Sequence, residues 1–113
     1  MDIASFSVYG HNIHMIDLER VEGFDWDAGN VRKNERHGVS QAEAEQVFFD
    51  LRLLVVADDR HSQAEPRFHG LGATLAGRVL HVTFTLRMDG RKIRVISARD
   101  MSRKERTYYE QKT

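Results

Sequence analysis

Residues 79–100 read VLHVTFTLRMDGRKIRVISARD. Over the first nine, Leu80, Val82, Phe84 and Leu86 alternate with His81, Thr83, Thr85 and Arg87, the period of two expected of a strand with one buried face and one open face. Asp89 and Gly90 supply a hairpin turn, and Lys92 to Arg99 form the return strand. The parity of that return strand breaks. Ile93 and Val95 share one face while Ile96 and Ala98 share the other, which predicts a bulge or a strand end covered on both sides.

Upstream of the hairpin, Ser40 and Glu43 form an SxxE capping box, and Ala44, Val47, Phe48 and Leu51 follow it at helical spacing. An earlier, more polar helix starts at Asp27 as N-cap, with Trp26 placed to staple onto Val31, and ends at Gly38. Phe24 and Trp26 alternate with Asp25 and Asp27 as in a short strand. Leu53 to Ala57 is a β-prone run closed by Asp58 and Asp59, and Arg67 to Leu71 reads as a further strand before a glycine-bearing loop through Gly72 and Gly77. A second box, Ser102 and Glu105, opens a C-terminal helix through Tyr108, Tyr109 and Gln111. The expected fold is therefore α+β, with two N-terminal helices, an antiparallel meander and a C-terminal helix. Residues 23–113 read as one domain, and residues 1–22, which show no clear period, as an N-terminal extension of open role.

A length of 113 residues with 41% hydrophobic and 30% charged side chains supports one core and excludes a second. No cysteine is present, which removes disulfides, thiolate nucleophiles and Cys-based zinc sites and makes a reducing compartment the default. Neither GxGxxG nor GxxxxGK[ST] occurs, so dinucleotide and P-loop chemistry are not indicated and no cofactor is expected. No apolar run is long enough for a membrane span and no secretory leader is visible, so the expected location is cytoplasmic.

The formal net charge is 0, from 17 basic and 17 acidic side chains. The balance is uneven along the chain. Residues 1–59 carry 5 basic and 12 acidic groups (−7), whereas the remainder carries 12 basic and 5 acidic (+7). Nine of those 12 cations are arginine, whose planar fork suits bidentate phosphate binding, and the split suggests a polyanionic partner for the second half. Arg78, Arg87 and Arg94 are the expected RNA contacts, although edge charges that discourage strand pairing would look similar.

RNA carries its own nucleophile, the 2′-OH, so a nuclease without a metal needs a base, an acid and cations for the charge that develops on phosphorus. The catalytic candidates are His61, Glu65, Arg67, Arg99 and Tyr109. Each has a structural alternative. Glu65 closes a third SxxE spacing, although Pro66 disfavours a helix there. Tyr109 fits a core position as well as a site, Glu43 fits a cap, and His37 fits a helix end. His11 and His14 stand three apart without a third ligand at readable spacing, so they read as a surface pair and no metal site is expected.

Four strings occur in order: FDWDAGNVRKNERHGVS at 24–40, DDRHSQAEPRFHGLG at 58–72, GRVLHVTFTLR at 77–87 and IRVISARDMSRKERTYYE at 93–110. Together they resemble a BrnT-type toxin of the RelE-like ribonuclease superfamily, from about Gly23 to Glu110. The resemblance implies the toxin half of a type II toxin–antitoxin pair, an RNA-cleaving α+β domain whose sheet presents the site. It implies a ribbon-helix-helix antitoxin that covers the toxin and through which the complex reaches operator DNA; a homodimer and a heterotetramer both fit. By the same similarity the family's HGVS motif falls on His37 to Ser40. Its HSxxExR motif falls on His61, Ser62, Glu65 and Arg67, its ISAR motif ends on Ser97 to Arg99, and its ExxY tail falls on Glu105 and Tyr108, with Tyr109 equally able to fill the aromatic role. The alternative is a non-catalytic module that binds nucleic acid or only its antitoxin.

Overall fold

The computed structural model describes residues 8–9, 18–60 and 65–112. Its centre is a four-strand antiparallel meander, β3 (Leu54–Asp58), β4 (Arg67–Ala73), β5 (Val79–Arg87) and β6 (Lys92–Asp100). Two short strands flank it in parallel pairing, β1 (Val8–Tyr9) on β3 and β2 (Gly23–Phe24) on β6, so the sheet runs β1-β3-β4-β5-β6-β2. With helices α1 (Ala28–Glu35), α2 (Gln41–Val47) and α3 (Arg103–Lys112), this is the α+β arrangement that the sequence order predicts.

The hairpin forms as its alternation dictates. Leu80, Val82 and Phe84 are fully buried beneath α1 and α2, where the Phe48 ring meets Phe84 edge-on with centroids 4.9 Å apart. The parity break in β6 is a bulge: Val95 pairs with Phe84 and Ser97 with Thr83, so Ile96 is the extra residue. That single insertion returns Ala98 to the buried face beside Val82 and turns Ser97 and Arg99 to the opposite face. Asp89 and Gly90 occupy the turn, both with positive φ, closed by the Arg91 amide donating to the Met88 carbonyl.

Local capping fixes both N-terminal helices. Asp27 accepts from the Asn30 amide while Asn30 Oδ1 accepts from the Asp27 amide, and Ser40 and Glu43 make the same reciprocal pair for α2. Gly38, at φ +71°, terminates the α1 region in a Schellman-type arrangement, with the Val39 amide donating to the Asn34 carbonyl. Ahead of α1 in the chain, Leu18 is buried in the same core, at 1% exposure.

Two sequence expectations shift. Helix α2 stops at Val47, so Leu51 lies outside its apolar face and is 74% exposed. Asp50 accounts for this: it accepts from the amides of Arg52 and Ala73, fixing a turn where the helix would otherwise continue. Gly72 lies within β4 rather than in a loop, directly under α2, where an added Cβ would come within 2.8 Å of Val47 Cγ1. The missing side chain sets how closely the helix can approach the sheet.

Helix α3 packs on the opposite face, over Leu54, Leu71 and Met101, with Tyr109 as its buried anchor. It covers only part of that face. The remainder carries the polar halves of the alternating strands.

Candidate active site

Register brings the polar residues of four strands together on the open face. His81 pairs with Arg99 and with Leu71; His69 pairs with Thr83 and with Val56; Asp58 ends β3 opposite Arg67. From above, the first turn of α3 lowers Glu105 onto His81 and Arg99.

These side chains form one continuous network. Asp58 Oδ2 lies 2.9 Å from His69 Nε2, His69 Nδ1 lies 2.9 Å from His81 Nε2, and His81 Nδ1 lies 2.7 Å from Glu105 Oε2. Thr83 Oγ1 is 3.0 Å from His69 Nδ1. Arg99 holds Glu105 with both arms of its fork, at 2.8 and 2.9 Å, the bidentate geometry of strong charge-assisted bonds. The two imidazoles meet at 89° with centroids 4.9 Å apart.

Counting hydrogens shows what this chain can hold. Its three nitrogen contacts along Asp58–His69–His81–Glu105 need three N–H donors, and two neutral imidazoles supply two. One added proton on the histidine pair therefore satisfies every contact, and with Arg99 it balances the charge of the two carboxylates. In that state His81 Nδ1–H donates to Glu105, and the 3.0 Å approach of Arg99 Nη2 to the same nitrogen is packing rather than a hydrogen bond. Burial pushes the His81 imidazole below its ordinary pKa; Glu105 opposes this, while Arg99 and His69 add to it. Burial alone would raise the Glu105 carboxyl, but hydrogen bonds from Arg99, the Ser102 amide and His81 outweigh it and hold Glu105 down to about 2.

The structure places the sequence candidates in three groups. Arg99 belongs to the network. Arg67 stands opposite Asp58 at the edge of the same face, while Glu65 accepts both arms of Arg87, at 3.0 and 2.8 Å. Arg94 bonds Asp27 Oδ2 at 2.7 Å. Arg78 bonds Asp100 twice, Glu43 once and the Gly38 carbonyl once, tying the ends of α1, α2 and β6 together. Tyr109 is apart from these, 3% exposed, with its hydroxyl donated to Asp50; burial, then Asp50, raises its pKa well above the ordinary phenol value. His61 and Ser62 lie outside the described residues, as do His11 and His14. Arg78, Arg87, Arg94 and Arg99 are thus met by carboxylates, and those facing Arg94, with one of those facing Arg78, come from the acidic half.

His69 and His81 are absent from the sequence candidates. The alternation of β5 does put His81 on the open face, and His69 stands two residues after Arg67. Their convergence is a cross-strand diagonal that only the pairing of β4 with β5 defines. Glu105 is legible as a cap and does cap, the Ser102 amide donating to it at 2.9 Å, but its second use depends on where α3 lands.

Beside the histidine pair is a cavity of about 310 Å³, lined by Val56, His69, Leu71 and His81 of the sheet and by Lys104, Glu105 and Tyr108 of α3.

Residues 26–105, the stretch holding the entire network, match the family described as "Ribonuclease toxin, BrnT, of type II toxin-antitoxin system". The chain belongs to the BrnT family. A comparison with curated protein sequences finds no match. The BrnT match spans the caps of α1 and α2, all four meander strands and the first turn of α3, and it ends at Glu105. Among the described residues, no helix is long and apolar enough to cross a membrane, and no cluster of three or more His, Asp or Glu is arranged to hold a metal ion.

Proposed function

We propose that this BrnT-family chain is an endoribonuclease toxin that cuts RNA by internal transesterification, with His81 as base, His69 as acid and Arg99 as the cation on the phosphate. The observation that carries this reading is the Asp58–His69–His81–Glu105 chain, in which two imidazoles in mutual contact are each backed by a carboxylate on an open, arginine-edged sheet. Substrate opens the His69–His81 contact. His81 Nε2 then takes the 2′-OH proton as the 2′-oxygen bonds to phosphorus, and His69 gives its Nδ1 proton to the departing 5′-oxygen. The products are a 2′,3′-cyclic phosphate and a free 5′-OH. Glu105 and Asp58 are positioning residues: each bonds the outer nitrogen of one imidazole and fixes its tautomer. No metal enters these steps.

Arg67, Arg87 and Arg94 edge the same face; Arg87 and Arg94 can exchange carboxylate partners for RNA phosphates, with Glu65 as the group displaced from Arg87. Arg78 acts from the side, holding the helices against the sheet. Neutralisation follows from the same surface: a ribbon-helix-helix antitoxin whose acidic segment covers the arginine-edged face, and which itself carries the complex to operator DNA. Association should therefore weaken as salt rises.

The test is cleavage of a single-stranded RNA by purified protein in the presence of EDTA. His69→Ala, His81→Ala and Arg99→Ala should each lower the rate by about 10²–10⁴-fold, the usual contribution of an acid–base or electrostatic group. Full activity of His81→Ala, or RNA left intact by the unaltered protein, overturns the proposal.

A further inference from the structure

We propose that the cavity beside the histidine pair is a nucleobase subsite, in which the base of the nucleotide that donates the 2′-OH lies against Tyr108; this rests on the RNA-cleaving reading above. Its volume, about 310 Å³, is at the lower end of the roughly 300–1,000 Å³ range of small-ligand pockets. The apolar character of its lining is what selects a base. Val56 and Leu71 form an apolar floor and Tyr108 an aromatic wall, and the polar atoms of His69, His81 and Glu105 are engaged with one another in the network. A flat aromatic ring fits such a lining; a phosphate alone would leave the apolar walls bare. Single-stranded RNA is commonly recognised by aromatic stacking of an unstacked base with hydrogen bonds to its edge.

Position strengthens the assignment. The cavity shares His69 and His81 with the reacting centre, so it is the space adjoining the nucleotide whose 2′-OH reaches His81. The Lys112 ammonium lies 5.7 Å from the Tyr108 ring centroid, and Lys104 is part of the lining, so cations stand near the base and its flanking phosphate.

The experiment titrates the full chain with adenosine and cytidine 3′-monophosphates and, separately, with inorganic phosphate, following the ring signals of Tyr108 and His81 by NMR. Both nucleotides should bind at least tenfold more tightly than phosphate and move the Tyr108 signals. Tyr108→Leu, which keeps an apolar side chain at this partly buried position, should lose about tenfold in nucleotide affinity and leave phosphate affinity unchanged; Tyr108→Phe should keep it. Nucleotides that bind no better than phosphate, or equal nucleotide affinity in Tyr108→Leu, overturn the subsite. The two proposals separate cleanly: Tyr108-dependent nucleotide binding with RNA left uncut sustains the subsite and overturns the nuclease, and cleavage with an unchanged KM in Tyr108→Leu does the reverse.

Discussion

Replacing Glu105 with Gln removes the charge that organises the network and should change how stability depends on pH. The folded protein holds this carboxyl at about 2, against an ordinary value of 4.5. By linkage that gap corresponds to about 3 kcal/mol, reduced to about 2 kcal/mol for a side chain that is 22% exposed and partly screened. The sign follows from which state takes up protons more readily. Above pH 4.5 the contribution is fully present; below it the unfolded chain protonates first, and stability is lost as pH falls towards about 2. His81 acts in the same direction at higher pH, because its imidazole is held below 6.5 by burial and the unfolded chain accepts a proton the folded one resists. Urea titrations at pH 7, 5, 4, 3 and 2 separate the two. Glu105→Gln should be about 2 kcal/mol less stable than the unaltered protein at pH 7 and 5, with the difference closing towards pH 2 and the slope m unchanged. Parallel pH dependence in the two proteins would refute the account of Glu105.

Three further substitutions probe the scaffold. Gly72→Ala should cost about 1–3 kcal/mol, because its methyl group meets Val47 at 2.8 Å and its carbonyl at 3.1 Å; a thermal melt lowered by several degrees checks it. Tyr109→Phe should cost about 1 kcal/mol in urea unfolding, from the lost bond to Asp50 under α3. Arg78→Ala should cost about 1–2 kcal/mol and narrow in high salt, since its partners Glu43 and Asp100 are partly solvated and screening weakens the bonds it loses.

The elements most legible in the sequence are those set by local patterns. The alternation over Val79–Arg87 and the paired Ser and Glu spacings at 40–43 and 102–105 each determine an element from residues within a few positions of one another, and the structure contains all three. Even the bulge at Ile96 is visible as a parity break. Where α2 ends is less legible, because Asp50 terminates it by reaching the Ala73 amide 23 residues away. The same limit governs the site. Arg99 is readable as an arginine on a sheet, whereas the dyad joins His69 to His81 across two strands and the partner of each comes from a third element. The charge split gave a true composition and an incomplete picture of the surface: Glu43 and Asp27, from the acidic half, are bonded to Arg78 and Arg94 of the basic half.

The central claim is that the histidine pair performs acid–base chemistry on RNA, and the pH dependence of single-turnover cleavage in EDTA tests it most directly. The unaltered protein should give a bell-shaped profile, its acidic limb reporting the base and its alkaline limb the acid. His81→Ala should lose the acidic limb along with most of the rate, and His69→Ala the alkaline limb. A profile whose limbs survive both substitutions would contradict the account.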